Sequence, residues 1–362
     1  MAVHIKEFYI GAFKGIKDLS LKELNHINIL TGNNNTGKTS ILELLFTLSN
    51  PKEINNWLNN ERVIPYLKPG RNFNYFLNLF PVDSGLTSPV NYSYTDIFDN
   101  KHYVQLSGTI EKGQMPLKEI NEISGIRRNR NGLPDEELNL LIDIKKLSLD
   151  VSEDSNFGKR YEIYDFENTH RIVIGGKPNI SISYVSPVAH SQVTNLSSVL
   201  SDVQFYNDMI SLLQEFDENI VNITSIEQSG YSEYMIISNN HKSAIPLSFY
   251  GDGMKKSLSL LCAMINSRNG ILLVDEFETA IHTSAMDHVF SWLLKSAIKL
   301  NVQVFLTSHS KEAINKVLRC DESLSDKISY YTLFNYEGKN LVRKLSCREA
   351  IKLQDQGGMD IR

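Results

Sequence analysis

The sequence predicts an α/β fold built on a largely parallel sheet that gathers its ligand at the strand ends, and three stretches predict it. Ile27-Asn28-Ile29-Leu30 stops near Gly32, and Ile271-Leu272-Leu273-Val274 stops at Asp275-Glu276. Val302-Gln303-Val304-Phe305-Leu306 stops at Thr307-Ser308-His309-Ser310. Short apolar runs that end in polar groups suit a parallel sheet, whose faces are covered by other elements and whose carboxyl ends meet ligands.

The first stretch is the most specific. Gly32-Asn33-Asn34-Asn35-Thr36-Gly37-Lys38-Thr39 spells G-x-x-x-x-G-K-T, and a helix restarts after Lys38 with Ile41, Leu42, Leu44 and Leu45 on its apolar side. Glycines let backbone N–H groups wrap phosphates, and the helix N-terminus adds its positive dipole end. Lys38 is placed to reach β- and γ-phosphates, and the Thr39 hydroxyl to ligate Mg²⁺. The run from Gly32 to Ser40 is therefore the candidate cradle for a nucleoside triphosphate.

Composition sets the limits. The chain has 362 residues, 41% hydrophobic and 22% charged, enough for one large domain or two ordinary ones. A net charge of −5 argues against wholesale coating of a polyanion, so any nucleic-acid contact needs a local basic patch. Cys262, Cys320 and Cys347 lie far apart without C-x-x-C spacing, which reads as reduced thiols. With no signal-like segment and no membrane-length apolar run, a cytoplasmic location without a membrane partner is expected.

In chain order, residues 3–10 alternate as a half-buried strand and residues 16–21 form a second, which predicts an antiparallel sheet beside the nucleotide core. The helix after Lys38 ends near Asn50-Pro51. Residues 51–179 are expected as a β-rich insertion into a single unit whose core is 1–50 and 180–362. Within it Lys52 to Val63 reads as a helix and Asn72 to Phe80 as an aromatic-rich segment. Tyr103–Leu106, Leu141–Ile144, Tyr161–Tyr164 and Arg171–Ile174 read as strands of a meander. Its aromatics suit either a core or a base-stacking platform. The basic run Arg127-Arg128-Asn129-Arg130 suits either a solvated loop or a phosphate-backbone contact. From Ile180 a strand runs to Val185, a long helix spans Asn195 to Phe216, and strands cover 220–226 and 234–237. A helix over 254–268 follows, and the tail reads as a hairpin about Glu337-Gly338 with a short helix from Arg348 to Gln354.

Asp275 suits a share in holding Mg²⁺, and Glu276 is placed to polarise an attacking water. His309 ends a neighbouring strand of the same sheet, where a γ-phosphate contact is favoured over a structural role. Gly251-Asp252-Gly253 is a glycine-rich turn that opens a helix, which makes a second anion site.

Together these motifs resemble those of the ABC-type ATPase heads of the SMC, RecF and OLD group, and within it the compact prokaryotic ATPases of phage-defence operons. The loop has that group's G-x-N-N-x-G-K-T form, with Asn34 and Asn35 at the paired asparagines. Asp275 to His282 resembles D-E-x-E-x-G-[LI]-H, with Ala280 where the motif carries glycine. Thr307 to Ser310 matches the switch-histidine motif, and Ser248 to Lys256 resembles the group's degenerate signature. The resemblance covers nearly the whole chain outside the insertion, with the motifs in the right order. It implies a P-loop NTPase of the ABC-ATPase head type with an antiparallel β subdomain, Mg²⁺-dependent ATP hydrolysis, and catalytic roles for Glu276 and His309. It also implies a homodimer or higher homo-oligomer in which Gly251, Asp252 and Gly253 face the partner's nucleotide. No stretch after the hairpin is long enough for the nuclease domain of OLD proteins, so a separate effector, a nuclease among the candidates, is expected. A RecF-like DNA-repair clamp is the alternative, with the Arg127 to Arg130 cluster as its local support. Gln192 is the candidate for the glutamine loop.

Overall fold

The computed structural model describes residues 3–58, 71–124, 138–154, 156–167, 178–189, 196–228 and 231–357. At its centre lies a sheet ordered β15-β14-β3-β13-β12-β8. Its strands are β3 (Ile27–Gly32), β8 (Ile182–Val185), β12 (Ile271–Val274), β13 (Gln303–Thr307), β14 (Ile328–Tyr336) and β15 (Lys339–Ser346). All neighbours are parallel except β15, which returns antiparallel to β14. That return is a two-residue turn with φ 51° at Glu337 and 77° at Gly338, the left-handed pair that matches strand twist.

Successive side chains of a strand point to opposite faces, so each buried strand feeds two cores. Leu272, Val274, Val304 and Leu306 join one cluster, whereas Ile271, Leu273 and Phe305 join the other. This is why the strand runs are uninterruptedly apolar: both faces are covered, and burying one such side chain fully is worth roughly 1.5–3 kcal/mol.

On the second face lies α1 (Lys38–Thr47), whose Ile41, Leu42, Leu44 and Leu45 are fully buried. Beyond it is a six-stranded antiparallel sheet ordered β2-β1-β4-β5-β6-β7. Its strands are β1 (Ile5–Phe13), β2 (Ile16–Leu21), β4 (Val90–Asp96), β5 (Lys101–Pro116), β6 (Leu141–Glu153) and β7 (Asn156–Tyr164). The N-terminal pair and the strands of the 51–179 segment thus form one sheet, joined through β1 and β4. Phe8, Ile10, Tyr92, Leu106, Leu147 and Leu149 on its inner side share a core with the apolar side of α1. Two short helices, α2 (Arg71–Leu77) and α3 (Leu117–Ile123), complete this half.

The first face is covered by helices. These are α4 (Ser197–Leu200), α5 (Val203–Gln214), α6 (Asp252–Asn266), α7 (Thr283–Lys299), α8 (Lys311–Arg319) and α9 (Cys347–Gly357). A small sheet of β9 (Ile220–Gln228), β10 (Tyr231–Ser238) and β11 (Ile245–Pro246) packs beside them.

The expected long helix before β9 is two helices, because Asp202 is extended and caps α5, accepting from Gln204 N at 2.9 Å and Phe205 N at 3.3 Å. The helix expected from Lys52 is, in its described part, a single 3₁₀ turn over Ile54–Trp57, and the buried Trp57 indole donates to Pro51 O at 2.9 Å. Arg171–Ile174, the basic run Arg127 to Arg130 and Gln192 lie outside the described residues. All three cysteines are free, and burial pushes the Cys262 thiol up to about 12. No helix among the described residues is long and apolar enough to cross a membrane.

Candidate active site

The loop between β3 and α1 is held open by its backbone. Gly32 has φ 139°, and a Cβ there would lie 2.2 Å from Leu333 O, so no other residue fits. Gly37 has φ 95° and is the N-cap of α1. A glycine cap has no side-chain oxygen to satisfy the first-turn N–H groups, which leaves them for an anionic ligand. Asn33, Asn34 and Asn35 line the exposed rim, and Thr36 ties the loop together by donating to Asn33 O at 2.9 Å.

Lys38 is buried inside this loop, its ammonium donating to Gly32 O at 2.7 Å and Asn33 O at 2.8 Å. Burial lowers its pKa to about 8, against the opposing pull of the Asp275, Glu276 and Glu278 carboxylates. The next residue, Thr39, points across the sheet end and donates to Asp275 at 3.0 Å (Oδ2) and 3.2 Å (Oδ1).

Asp275, buried at the end of β12, also accepts from Thr307 Oγ1 at 2.6 Å and Tyr184 OH at 3.0 Å. The hydroxyls come from the ends of β13 and β8, the strands on either side, which fixes the carboxylate from both flanks. Glu276 follows in the left-handed region at φ 45°, and its N–H donates to Thr307 Oγ1 at 2.8 Å. Thr307 O in turn accepts from Phe277 N at 3.1 Å. Ser308 Oγ (2.8 Å), His309 N (3.1 Å) and Ser310 N (3.2 Å) all donate to Glu278 Oε1. The β12 and β13 ends are therefore cross-stitched into one unit, which brings Lys38, Thr39, Asp275, Glu276 and His309 to one edge of the sheet.

Magnesium prefers oxygen ligands in an octahedron, in which neighbouring ligands at about 2.1 Å from the ion lie about 3.0 Å apart. Thr39 Oγ1 and Asp275 Oδ2 have that separation, 3.0 Å. No cluster of three or more His, Cys, Asp or Glu able to hold a metal occurs among the described residues. That suits an ion held by one carboxylate, one hydroxyl and the phosphates of its nucleotide, and the residues fit it.

Gly251, Asp252 and Gly253 lie on the other face of the sheet from the phosphate loop. Gly251 caps α6, and α6 packs through Met254, Leu258 and Leu261 on the face of the sheet opposite α1. Gly253 sits against the turn after β12, where a Cβ would meet Ala280 O at 2.9 Å. Ala280 has φ 68°, the left-handed conformation that explains why a glycine is at home there. Three groups were not singled out in the sequence: Tyr184, which looks like any alternating strand tyrosine, Thr307 as the ligand of Asp275, and Glu278 as the anchor of the His309 loop.

A phosphate loop, an acidic strand end and a histidine strand end on one parallel sheet, with an antiparallel sheet alongside, define a P-loop ATPase. The chain belongs to the family described as "AAA domain, putative AbiEii toxin, Type IV TA system", which matches residues 27–315. It is 24% identical over 339 residues to an ATP/GTP phosphatase of Helicobacter pylori, covering 86% of each chain. It is 31% identical over 115 residues to the uncharacterized protein MJECL11 of Methanocaldococcus jannaschii, covering 31% of this chain and 98% of that one. Among solved structures, an SMC head bound to the C-winged helix domain of ScpA aligns with a TM-score of 0.49 at 11% identity, covering 96% of this chain and 99% of that one. The SMC head domain of Thermotoga maritima aligns with a TM-score of 0.44 at 13% identity, covering 95% and 100%.

Proposed function

We propose that the chain binds ATP with Mg²⁺ between two copies of itself, hydrolyses it, and uses the cycle to control a separate effector in a defence or toxin–antitoxin setting. The observation that carries the reading is the split of the motifs. The phosphate loop, Asp275, Glu276 and His309 share one sheet edge, whereas the glycine turn of α6 belongs to the opposite face. A second copy would bring such a turn to the phosphates. The family description and the phosphatase relative support the setting and the nucleotide.

In this reading Gly32 to Ser40 wrap the phosphates, and Lys38 gives up its two carbonyl partners for the β- and γ-oxygens. Thr39 and Asp275 hold Mg²⁺, which would screen the phosphate charge when bound. Glu276 orients the attacking water and takes its proton, and His309 donates to the γ-phosphate. The test is sedimentation of a Glu276→Gln variant, which should be monomeric alone and dimeric with ATP and Mg²⁺. A monomer under both conditions would overturn the sandwich.

Lys38 makes the binding reaction sensitive to pH. With its pKa lowered to about 8, close to half of the free protein carries a neutral amine at pH 8, whereas a bound triphosphate holds it charged. ATP binding at pH 8 should therefore take up about half a proton per site and close to none at pH 6, and affinity should weaken as pH rises through 8. Calorimetry in two buffers of different ionisation enthalpy reads this directly, and equal apparent enthalpies at pH 8 would exclude it.

A further inference from the structure

The residue that holds the histidine loop is two positions beyond Glu276, the base of the proposed hydrolytic step. Glu278 Oε1 accepts three bonds, all from the stretch Ser308 to Ser310, including the backbone N–H of His309 itself. Its other oxygen, Oε2, is buried and has no hydrogen-bond donor among the described residues. The carboxylate is therefore stabilised through this one loop. A charged acceptor makes shorter and roughly twice stronger hydrogen bonds than a neutral one. A buried carboxylate oxygen that loses its donors is costly, so the loop and Glu278 hold each other in place. The other bonds between the two strand ends end on Thr307, short of His309: Thr307 Oγ1 serves Asp275 and Glu276, and Thr307 O serves Phe277. Beyond Thr307, Glu278 Oε1 ties the β12 turn to this loop by three bonds.

We infer that Glu278 is a positioning residue for ATP hydrolysis, one that sets where His309 stands relative to the γ-phosphate and thereby couples the acid turn to the histidine loop. This rests on the role assigned to His309 above. Glu278 Oε1 is taken up by the histidine loop and Oε2 is buried, so its loss should act on turnover and not on binding. The Lys38 ammonium bonds to Gly32 O and Asn33 O, and Glu278 Oε1 bonds to the histidine loop, so removing Glu278 leaves both carbonyl bonds of Lys38 in place.

The experiment compares Glu278→Gln and Glu278→Ala, each alone and combined with His309→Ala, by steady-state hydrolysis and by direct ATP binding. Outer partners of a working group typically change activity by 10–100-fold. We expect kcat to fall about tenfold for Glu278→Gln and up to about 100-fold for Glu278→Ala, with ATP affinity not reduced. In the His309→Ala background neither should produce a further fall. A Glu278→Gln variant with the wild-type kcat overturns the inference, and so does a loss of equal size in both backgrounds, since that reports a merely structural residue. Should Glu278→Ala fail to fold, the glutamine variant, which keeps the shape, decides alone. If His309→Ala itself hydrolyses ATP at the wild-type rate, the role of His309 is what fails.

Discussion

Glu276→Gln should bind ATP as the wild type does and hydrolyse it about 10²–10⁴-fold more slowly, a loss of roughly 3–5 kcal/mol of transition-state stabilisation. The size follows from what the substitution removes. The backbone of residue 276 is fixed independently of its side chain, at φ 45° with its N–H on Thr307 Oγ1. Glutamine keeps the volume and can still accept from Thr279 Oγ1, which lies 3.5 Å from Glu276 Oε2. What disappears is the ability to take a proton from water. Phosphate release measured beside equilibrium nucleotide binding separates the two, and an unchanged turnover rate would remove Glu276 from the mechanism.

The second large effect concerns the glycine turn. Gly251 is the N-cap of α6, and a Cβ built on it meets nothing within 4 Å. Aspartate is among the best N-cap residues, so Gly251→Asp should fold as well as the wild type or better. It should nevertheless be nearly inactive, because in a sandwich its carboxylate would face the partner's γ-phosphate. Gly253→Asp is a poorer probe, since a side chain there would strike Ala280 O at 2.9 Å within its own protomer. Lys38→Ala should also be nearly inactive, through the loop side of the site. Mixed in equal amounts, the two inactive proteins form mixed dimers about half of the time, each with one intact site of two. About a quarter of wild-type activity should return if sites work independently. Activity of Gly251→Asp alone at the wild-type rate would rule out the shared site, whatever the mixture does.

The strand ends could be read in the sequence because the physics there is local. A run buried on both faces must be apolar, and the polar residues that interrupt it mark where the sheet meets its ligand. The same holds for the phosphate loop, where Gly32 and Gly37 carry backbone angles that side chains resist. Pairing across long separations left no such trace. That β1 lies beside β4 depends on which edge the folded core leaves open, and both strands merely alternate. Glu278 and Tyr184 look ordinary in sequence because their importance lies in partners from other strands. Two signals were present and unused. Asp202 after Ser201 is a cap in the middle of an apparent helix. Residues 283–299 carry Met286, Val289, Phe290, Leu293 and Leu294 at helical spacing, the buried stripe of α7.

The position of β3 in the sheet has a consequence for synthesis. Its two neighbours are β13 and β14, which leave the ribosome nearly a whole chain later. At about 5–20 residues per second, the roughly 300 residues in between need on the order of 15–60 s. Throughout that interval the strand leading into the phosphate loop lacks both of its hydrogen-bonding ladders, and its apolar residues are uncovered. A nascent chain can bury the apolar side of α1 against β1 and β4 early, yet the acid and histidine ends that complete the site do not exist until β12 and β13 emerge. Nucleotide can thus report only on a chain translated past β13, so prematurely terminated fragments would be unable to complete the nucleotide site.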